Sequence, residues 1–394
     1  MGMRGTDTGT LLTGGTGFLG GEVLVRLLER DDAPVYVLVR AGSDEEADAR
    51  LRALVSSLVG ESESWSDRVI AVRGDVTQAW LGMGSDRRDW LAERTDRVIH
   101  CAASVSFTLG LEESREINVT GTRRVVELAR LCARRGGLAS FVHVSTAYVA
   151  GNYGGTFAEA DLDLRQEFRN AYEQSKFEAE RVVRERGWDL PAQIMRPSIV
   201  VGDSATGWTP AFNVLYGPMK AFSRGAYPAI PARRSAPVDV VPVDYVADAI
   251  LALAGRPWTT YHLTASDRAS SVGELIDLGS AAASQPRPRV LPPRLYRRLV
   301  HPLLVRQGSE SRRRALRRSE VYFPYFAMRT RYDNSEARAA LAPMGVEVPR
   351  LDTYFNRLLG FAMDAEWGRR PVARHEVLDK PPARQRLPSE PVAA

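Results

Sequence analysis

Between residues 10 and 195 the chain repeats one rhythm, a short β-branched run followed by a longer stretch with helical periodicity. The short runs fall at 10–12, 35–39, 69–72, 97–101, 141–144 and 192–195, and helical patterns cover 18–30, 44–59, 113–134 and 170–186. The run Val35-Tyr36-Val37-Leu38-Val39 shows no polar alternation, so both of its faces must be covered. Parallel strands with helices on either side meet that demand. Right-handed crossovers then leave a doubly wound parallel α/β sheet of the Rossmann type.

After Arg196-Pro197 the rhythm breaks. Residues 202–237 are rich in Gly, Pro and aromatic side chains, which suits an insertion that lines a substrate site. Sheet-like runs return at 238–241 and 261–263, and from Ser270 the pattern is helical and irregular. The expected organisation is a Rossmann domain over 8–265 carrying the 202–237 insertion. A smaller, mostly helical substrate-binding region follows over 266–365. The Pro- and Arg-rich residues 366–394 are expected to form a disordered tail.

Composition narrows the function. Hydrophobic residues at 44% and charged residues at 26% are ordinary for a globular protein, and no uninterrupted apolar stretch reaches membrane-spanning length. The first ten residues lack the apolar stretch of a signal peptide, so a cytoplasmic location is expected. Cys101 and Cys132 both lie in patterns of buried elements, which suits a reducing compartment. No His, Cys and acid cluster has metal-ligand spacing. The net charge is +5, but acids interrupt the basic residues throughout, which argues against nucleic acid as a partner.

Chemistry begins at Thr13-Gly14-Gly15-Thr16-Gly17-Phe18-Leu19-Gly20, between the first strand and the first helix. A glycine turn there lets backbone N–H groups approach a pyrophosphate, and the helix N-terminus adds its partial positive charge. NAD-binding folds commonly place an acid at the end of the second strand to bond the ribose 2′-hydroxyl. This chain has Arg40 there and no acid before Asp44, which favours the 2′-phosphate of NADPH. Asp75 in Gly74-Asp75-Val76 can accept from the adenine amine. The small residues of Cys101-Ala102-Ala103 let backbone lie close to the cofactor.

The fifth strand ends in His143-Val144-Ser145-Thr146-Ala147-Tyr148, and a helix then carries Tyr172-Glu173-Gln174-Ser175-Lys176. Residues four apart share a helix face. Of 53 basic residues only Lys176, Lys220 and Lys380 are lysines, so Lys176 stands out beside Tyr172. An ammonium near the phenol is expected to draw its pKa down from about 10. Tyr172 can then exchange a proton with an oxygen that gains charge, while a strand-end hydroxyl holds that oxygen.

These segments, with Asn118-Val119-Thr120-Gly121-Thr122, Arg196-Pro197-Ser198-Ile199-Val200-Val201-Gly202 and Val241-Pro242-Val243-Asp244, resemble the extended short-chain dehydrogenases/reductases. Within that superfamily the chain is similar to the fatty acyl-CoA reductase and thioester reductase branch. That branch includes the male-sterility family and the terminal reductase domains of carboxylic acid reductases and nonribosomal peptide synthetases. The resemblance covers about residues 8–250. His143 to Val149 and Arg196 to Val200 look like acyl-CoA reductases rather than sugar epimerases.

The resemblance implies catalytic roles for Thr146, Tyr172 and Lys176. It implies NADPH contacts at Gly14, Thr16, Gly17, Phe18, Leu19, Gly20, Arg40, Asp75, Val76, Ala102, Ala103 and Lys176, with Pro197, Ser198 and Ile199 against the nicotinamide. The implied reaction is reduction of an acyl-CoA or acyl-carrier-protein thioester to an aldehyde, and onward to an alcohol in some members. Alternative readings of the same fold are a dehydrogenase of a ketone or nucleotide sugar, and a non-catalytic dinucleotide sensor. Tyr332-Asp333-Asn334-Ser335 is loosely similar to the family's substrate cap.

Two stretches admit more than one reading. The arginine-dense residues 287–318 suit docking of an anionic carrier, a peripheral membrane contact or a solvated helical pair. Trp208, Phe212, Tyr216, Met219 and Phe222 recur at helical spacing and suit either an acyl-tunnel wall or a helix packed on the core.

Overall fold

The apolar runs form one parallel sheet in the computed structural model. It describes residues 8–378, apart from 31, 62–64, 66, 213, 226–227, 301, 303–305, 307–309 and 311–319. The strands are β1 (Gly9–Thr13), β2 (Val35–Val39), β3 (Val69–Arg73), β4 (Thr95–His100), β5 (Ser140–Val144), β6 (Ala192–Pro197) and β7 (Thr259–Leu263). Their order is β7-β6-β5-β4-β1-β2-β3, parallel throughout. The chain reverses its direction of travel at β1, between β4 and β2, and that is where open α/β sheets bind ligands.

The helices are α1 (Phe18–Arg30), α2 (Asp44–Val59), α3 (Ser85–Arg94), α4 (Leu111–Arg115), α5 (Gly121–Arg135), α6 (Ala171–Arg186), α7 (Tyr216–Ser223), α8 (Val243–Leu253), α9 (Val272–Ala283), α10 (Ser335–Leu341), α11 (Leu351–Asp364) and α12 (Arg374–Leu378). Strand residues divide by pleat. Leu12, Val37, Ile99 and Val142 face α1, α2 and α8, while Leu11, Tyr36, Leu38, Val98 and Phe141 face α3, α5 and α6. That two-sided burial is why the strand sequences lack alternation. The helix expected over 113–134 is broken by a π turn at Glu116–Thr120 between α4 and α5.

The second layer is built from α7, α9 and α11, which share an apolar cluster that includes Leu215, Met219, Ile276, Phe355 and Leu359. The chain then returns to the sheet, where Ala337 and Leu341 of α10 enter the same core as α8. Glu159 fastens that return. Its carboxylate accepts from the α10 amides of Glu336 at 2.7 Å and Ala337 at 3.1 Å, and from the β7 amide of His262 at 2.8 Å. Among the described residues no helix is long and apolar enough to cross a membrane.

The expected disordered tail is corrected over its first part. Residues 366–378 hold a 3₁₀ turn and α12, docked on the sheet domain, while 379–394 lie outside the described residues. Arg374 makes two 2.9 Å hydrogen bonds to the fully buried Glu22 of α1. Trp208 Nε1 donates to Val372 O at 3.0 Å. Composition misleads here because one buried ion pair anchors an otherwise polar strand of chain. Glu22 also accepts from Arg26 at 2.7 Å, so removing Arg374 leaves the carboxylate with one of its two cationic partners. Arg374→Ala should lower the free energy of unfolding by about 1.5–3 kcal/mol, the range for a hydrogen bond to a charged group, in urea titrations. A loss under about 1 kcal/mol would mean the contact behaves as a surface pair.

Candidate active site

The glycine loop closes on itself before it faces outward. Gly14 adopts φ +74°, and a Cβ there would lie 2.5 Å from Ala102 N. Gly20 lets α1 press onto the loop, since its Cβ would meet Gly14 O at 2.1 Å. Both positions therefore demand glycine for packing. Gly17 differs. Its Cβ would meet only Gly14 O, at 3.2 Å, so the space in front of α1 is free. Backbone amides at a helix N-terminus with room before them fit the pyrophosphate of a nicotinamide dinucleotide.

A buried relay connects this loop to β4 and α5. Thr122 donates to Asn118 O at 2.6 Å, so its oxygen accepts from His100 Nε2–H at 3.1 Å. His100 Nδ1 then accepts from Thr13, 2.7 Å away. Burial, with Lys176 nearby, pushes His100 down to about 3, so the ring stays neutral. Asn118 lies in the π turn and serves the far side. It accepts from Ser104 N at 2.7 Å and donates to Ser104 O at 3.1 Å and Ser175 Oγ at 2.9 Å. The loop after β4 is thereby tied to α6.

At the end of β5 the two adjacent hydroxyls part company. Ser145 Oγ donates to Glu180 at 2.8 Å and is committed there. Thr146 lines the cavity beside Ser145 and Tyr172, and its hydroxyl donates to Pro197 O at 3.4 Å and accepts from Tyr148 N at 3.2 Å. Lys176, on the same face of α6, donates to Val144 O at 2.8 Å. The expectation that Lys176 draws the Tyr172 phenol downward is corrected. Burial dominates and pushes Tyr172 up to about 12, against the lowering by Thr146. Burial also brings Lys176 down to about 8, opposed by Glu180. Near neutrality the site therefore presents a neutral phenol and a charged ammonium.

One cavity of about 380 Å³ gathers Gly14, Gly17, Phe18, Leu19, Gly20, Ala103, Thr146, Tyr172, Lys176, Pro197, Ser198 and Ile199. Thr16, Arg40, Asp75, Val76 and Ala102 lie outside its lining. Asp75 uses Oδ1 to hold Thr77 N and Oγ1, both at 2.8 Å. Arg40 is exposed at the end of β2. The first acid beyond it, Asp44, is bound by Arg87 at 2.6 Å and Arg73 at 3.2 Å. Away from the loop the cavity is closed by aromatic rings. Phe107 stacks on Tyr325 at 5.6 Å and lies 5.6 Å from Tyr172, and Tyr148 meets Tyr325 edge-on at 5.4 Å. Tyr325 donates to Glu173 at 2.7 Å and accepts from Asn170 at 2.7 Å, which fixes its place over α6.

Several of these residues carry no assignment from sequence. Tyr325 belongs to no local motif. Arg196 was legible only as motif spelling, yet it is fully buried and binds Glu180 through Nε at 3.0 Å and Nη2 at 2.6 Å. Of the five periodic residues, Met219 and Phe222 line an apolar cavity. Trp208, Phe212 and Tyr216 do not line that cavity and pack in the interior. In the arginine-dense stretch Arg287 is paired with Asp277 at 2.6 Å, and Arg312, Arg313 and Arg314 lie outside the described residues.

A Rossmann sheet with a strand-end threonine and a Tyr-x-x-x-Lys helix opening on one cavity defines an extended short-chain dehydrogenase/reductase. The chain belongs to the male sterility protein family, whose model matches residues 12–250. It is 31% identical over 279 residues to human fatty acyl-CoA reductase 1, covering 62% of this chain and 54% of that protein. It is 32% identical over 257 residues to a linear gramicidin synthase chain of Brevibacillus parabrevis, covering 62% of this chain and 5% of that protein. The chain thus spans about half the length of the fatty acyl-CoA reductases it matches. Among solved structures, the terminal R domain of the myxalamid PKS-NRPS pathway superposes with a TM-score of 0.79. It is 28% identical, and 94% of each chain is covered.

Because Gly17 keeps the loop open without taking part in internal packing, Gly17→Val should fold normally and lose nicotinamide dinucleotide. An increase in Kd of roughly ten- to hundredfold is expected from the lost phosphate hydrogen bonds, read by fluorescence titration. Unchanged affinity would mean the dinucleotide does not lie against this loop.

Proposed function

We propose that the chain is an NADPH-dependent reductase that converts an acyl thioester to an aldehyde and a thiol. The observation that carries this reading is the cavity itself. Thr146, Tyr172 and Lys176 meet the glycine loop at one end, and the walls beyond them are mostly apolar and aromatic, with Asp239, Ser266, Thr330 and Arg331 also in the lining. A nucleotide-sugar substrate would call for more polar walls. The names of the fatty acyl-CoA reductases and of the R domain support the same substrate class.

When bound, the dinucleotide supplies a hydride to the carbonyl carbon. The chain's own residues handle the charge that appears on oxygen. Thr146 and Tyr172 donate hydrogen bonds to that oxygen, where fixed donors are worth more than in water. Tyr172 is a neutral phenol up to about pH 12, so it arrives with the proton that reduction requires. Lys176, held by Val144 O, keeps positive charge behind the phenol below about pH 8. Collapse of the tetrahedral carbon expels the thiol, and the aromatic lid of Phe107 and Tyr325 limits water.

For the cofactor, Arg40 supports NADPH over NADH. Among the described residues it has no ion-pair partner, while Arg73 and Arg87 neutralise Asp44, so a 2′-phosphate meets an uncompensated guanidinium. Coenzyme A or an acyl carrier protein is the proposed carrier, and the exposed Arg289, Arg294 and Arg298 support an anionic partner. A cytoplasmic setting is part of the proposal, supported by two cysteines that are both free.

The direct test is incubation with NADPH and a panel of acyl-CoA and acyl-carrier thioesters, following loss of NADPH absorbance with identification of aldehyde or alcohol. Tyr172→Phe should lower kcat by on the order of a hundredfold or more while dinucleotide binding stays near wild type. The wild-type rate should fall as pH rises through about 8, where Lys176 loses its proton, with no separate phenol limb below pH 10. A rate that climbs through pH 8 would require an ionised group that this site does not provide. Arg40→Ala should weaken NADPH by roughly ten- to hundredfold and leave NADH nearly unchanged in parallel titrations. Equal losses would remove Arg40 from cofactor selection.

A further inference from the structure

A second cavity of about 100 Å³ lies beside the active-site cavity, bounded by α7, α9 and α11. Leu215, Pro218, Leu275 and Phe326 line both, so the two chambers meet across apolar side chains alone. Among the described residues of the smaller lining Ser223 is the only polar side chain, and its hydroxyl donates to Lys220 O at 3.0 Å. A chamber without polar partners does not hold water well and takes apolar guests.

Gly279 sits inside α9, where glycine is disfavoured because it adds backbone freedom and no side-chain packing. Its presence has a local cause. A Cβ at Gly279 would lie 3.2 Å from Phe222 Cε1, so the missing side chain lets the Phe222 ring rest against the helix and keeps the chamber open. Phe222 comes from α7 and Gly279 from α9, and together they form one wall.

We propose that this chamber receives the far end of a straight apolar acyl chain, and that Phe222 and Gly279 set the longest chain that fits. The proposal rests on the thioester-reductase reading above. An apolar cavity of about 150 Å³ takes one benzene, so by proportion this one takes roughly four carbons. The active-site cavity holds the carbonyl and the nearer methylenes, and the smaller chamber holds the chain terminus. Preferred substrates are then saturated fatty acyl thioesters, and polar or charged chain ends are excluded.

The test separates binding from turnover. S-alkyl N-acetylcysteamine thioethers of increasing chain length cannot be reduced, and their affinity is measured by calorimetry with NADPH present. In the wild type, affinity should rise about fourfold per methylene, corresponding to ~0.8 kcal/mol each, and then level off. Gly279→Leu fills the chamber and should bring the plateau about four carbons earlier. Phe222→Ala enlarges it and should move the plateau later. Thermal melts establish that both variants fold, and if Gly279→Leu does not fold, Phe222→Ala decides alone. The matching thioesters should show the same shifts in kcat/KM, with acetyl thioester turnover unchanged. Affinity independent of chain length, or plateaus that neither variant moves, would overturn the chamber assignment. Thioether binding that follows the expected pattern without turnover of any thioester would leave the apolar-chain site standing and overturn the reductase reading.

Discussion

The arrangement of this site depends on one buried ion pair. Arg196 and Glu180 are both fully buried, a state that costs several kcal/mol per ion unless every polar atom finds a partner. Here they do. Arg196 also donates to His262 Nε2 at 3.0 Å and to the carbonyls of Glu159 at 3.3 Å and Asp161 at 2.5 Å. Glu180 also accepts from Ser145 and from Arg184, at 2.8 and 3.2 Å. These contacts draw together β6, α6 with its Tyr172 and Lys176, the end of β5, the 159–161 loop and β7. Ser145 is thereby occupied, and Thr146 is left to turn into the cavity. His262 passes the constraint on, since its Nε2 accepts from Arg196 and its Nδ1 therefore donates to Asp333 O at 2.5 Å.

The sheet was legible because burial on both faces leaves a local mark. Val35–Val39 could not be half exposed, and the structure places its alternate residues in two separate clusters. The glycine loop was legible for a related reason, as only glycine tolerates the approach of Gly20 to Gly14 O. Tyr172 and Lys176 announced themselves by helical spacing in a chain nearly free of lysine. Tyr325, Glu159 and Arg374 gave no such sign. Each acts through a partner more than a hundred residues away, Glu173, Ala337 and Glu22 respectively, and no window of sequence contains both members. The electrostatic expectation for Tyr172 failed for a different reason. Spacing shows that an ammonium is near, but the protonation of the phenol depends on desolvation, which is a property of the whole cavity.

The two halves of the cavity are built on different terms. The cofactor half uses strand ends and backbone, held by the sheet and by the His100 relay, so its geometry follows from the fold. The far half uses side chains from α7, α9 and the 322–332 segment, which meet only after the chain has wrapped back over the sheet. Under the proposed reaction, changes of shape there would fall away from Thr146, Tyr172 and Lys176.

The π turn at Glu116–Thr120 holds one residue more than a regular helix would need. Deleting a single residue there would yield a straighter helix with conventional bonding. It would also rotate everything before the deletion by about 100° relative to α5. Asn118 would leave Ser104 and Ser175, and the loop after β4 would lose its tether to α6. In this stretch, gain in helical regularity and retention of the site pull in opposite directions. A one-residue deletion that a surface helix would absorb silently therefore uncouples two layers of the fold here.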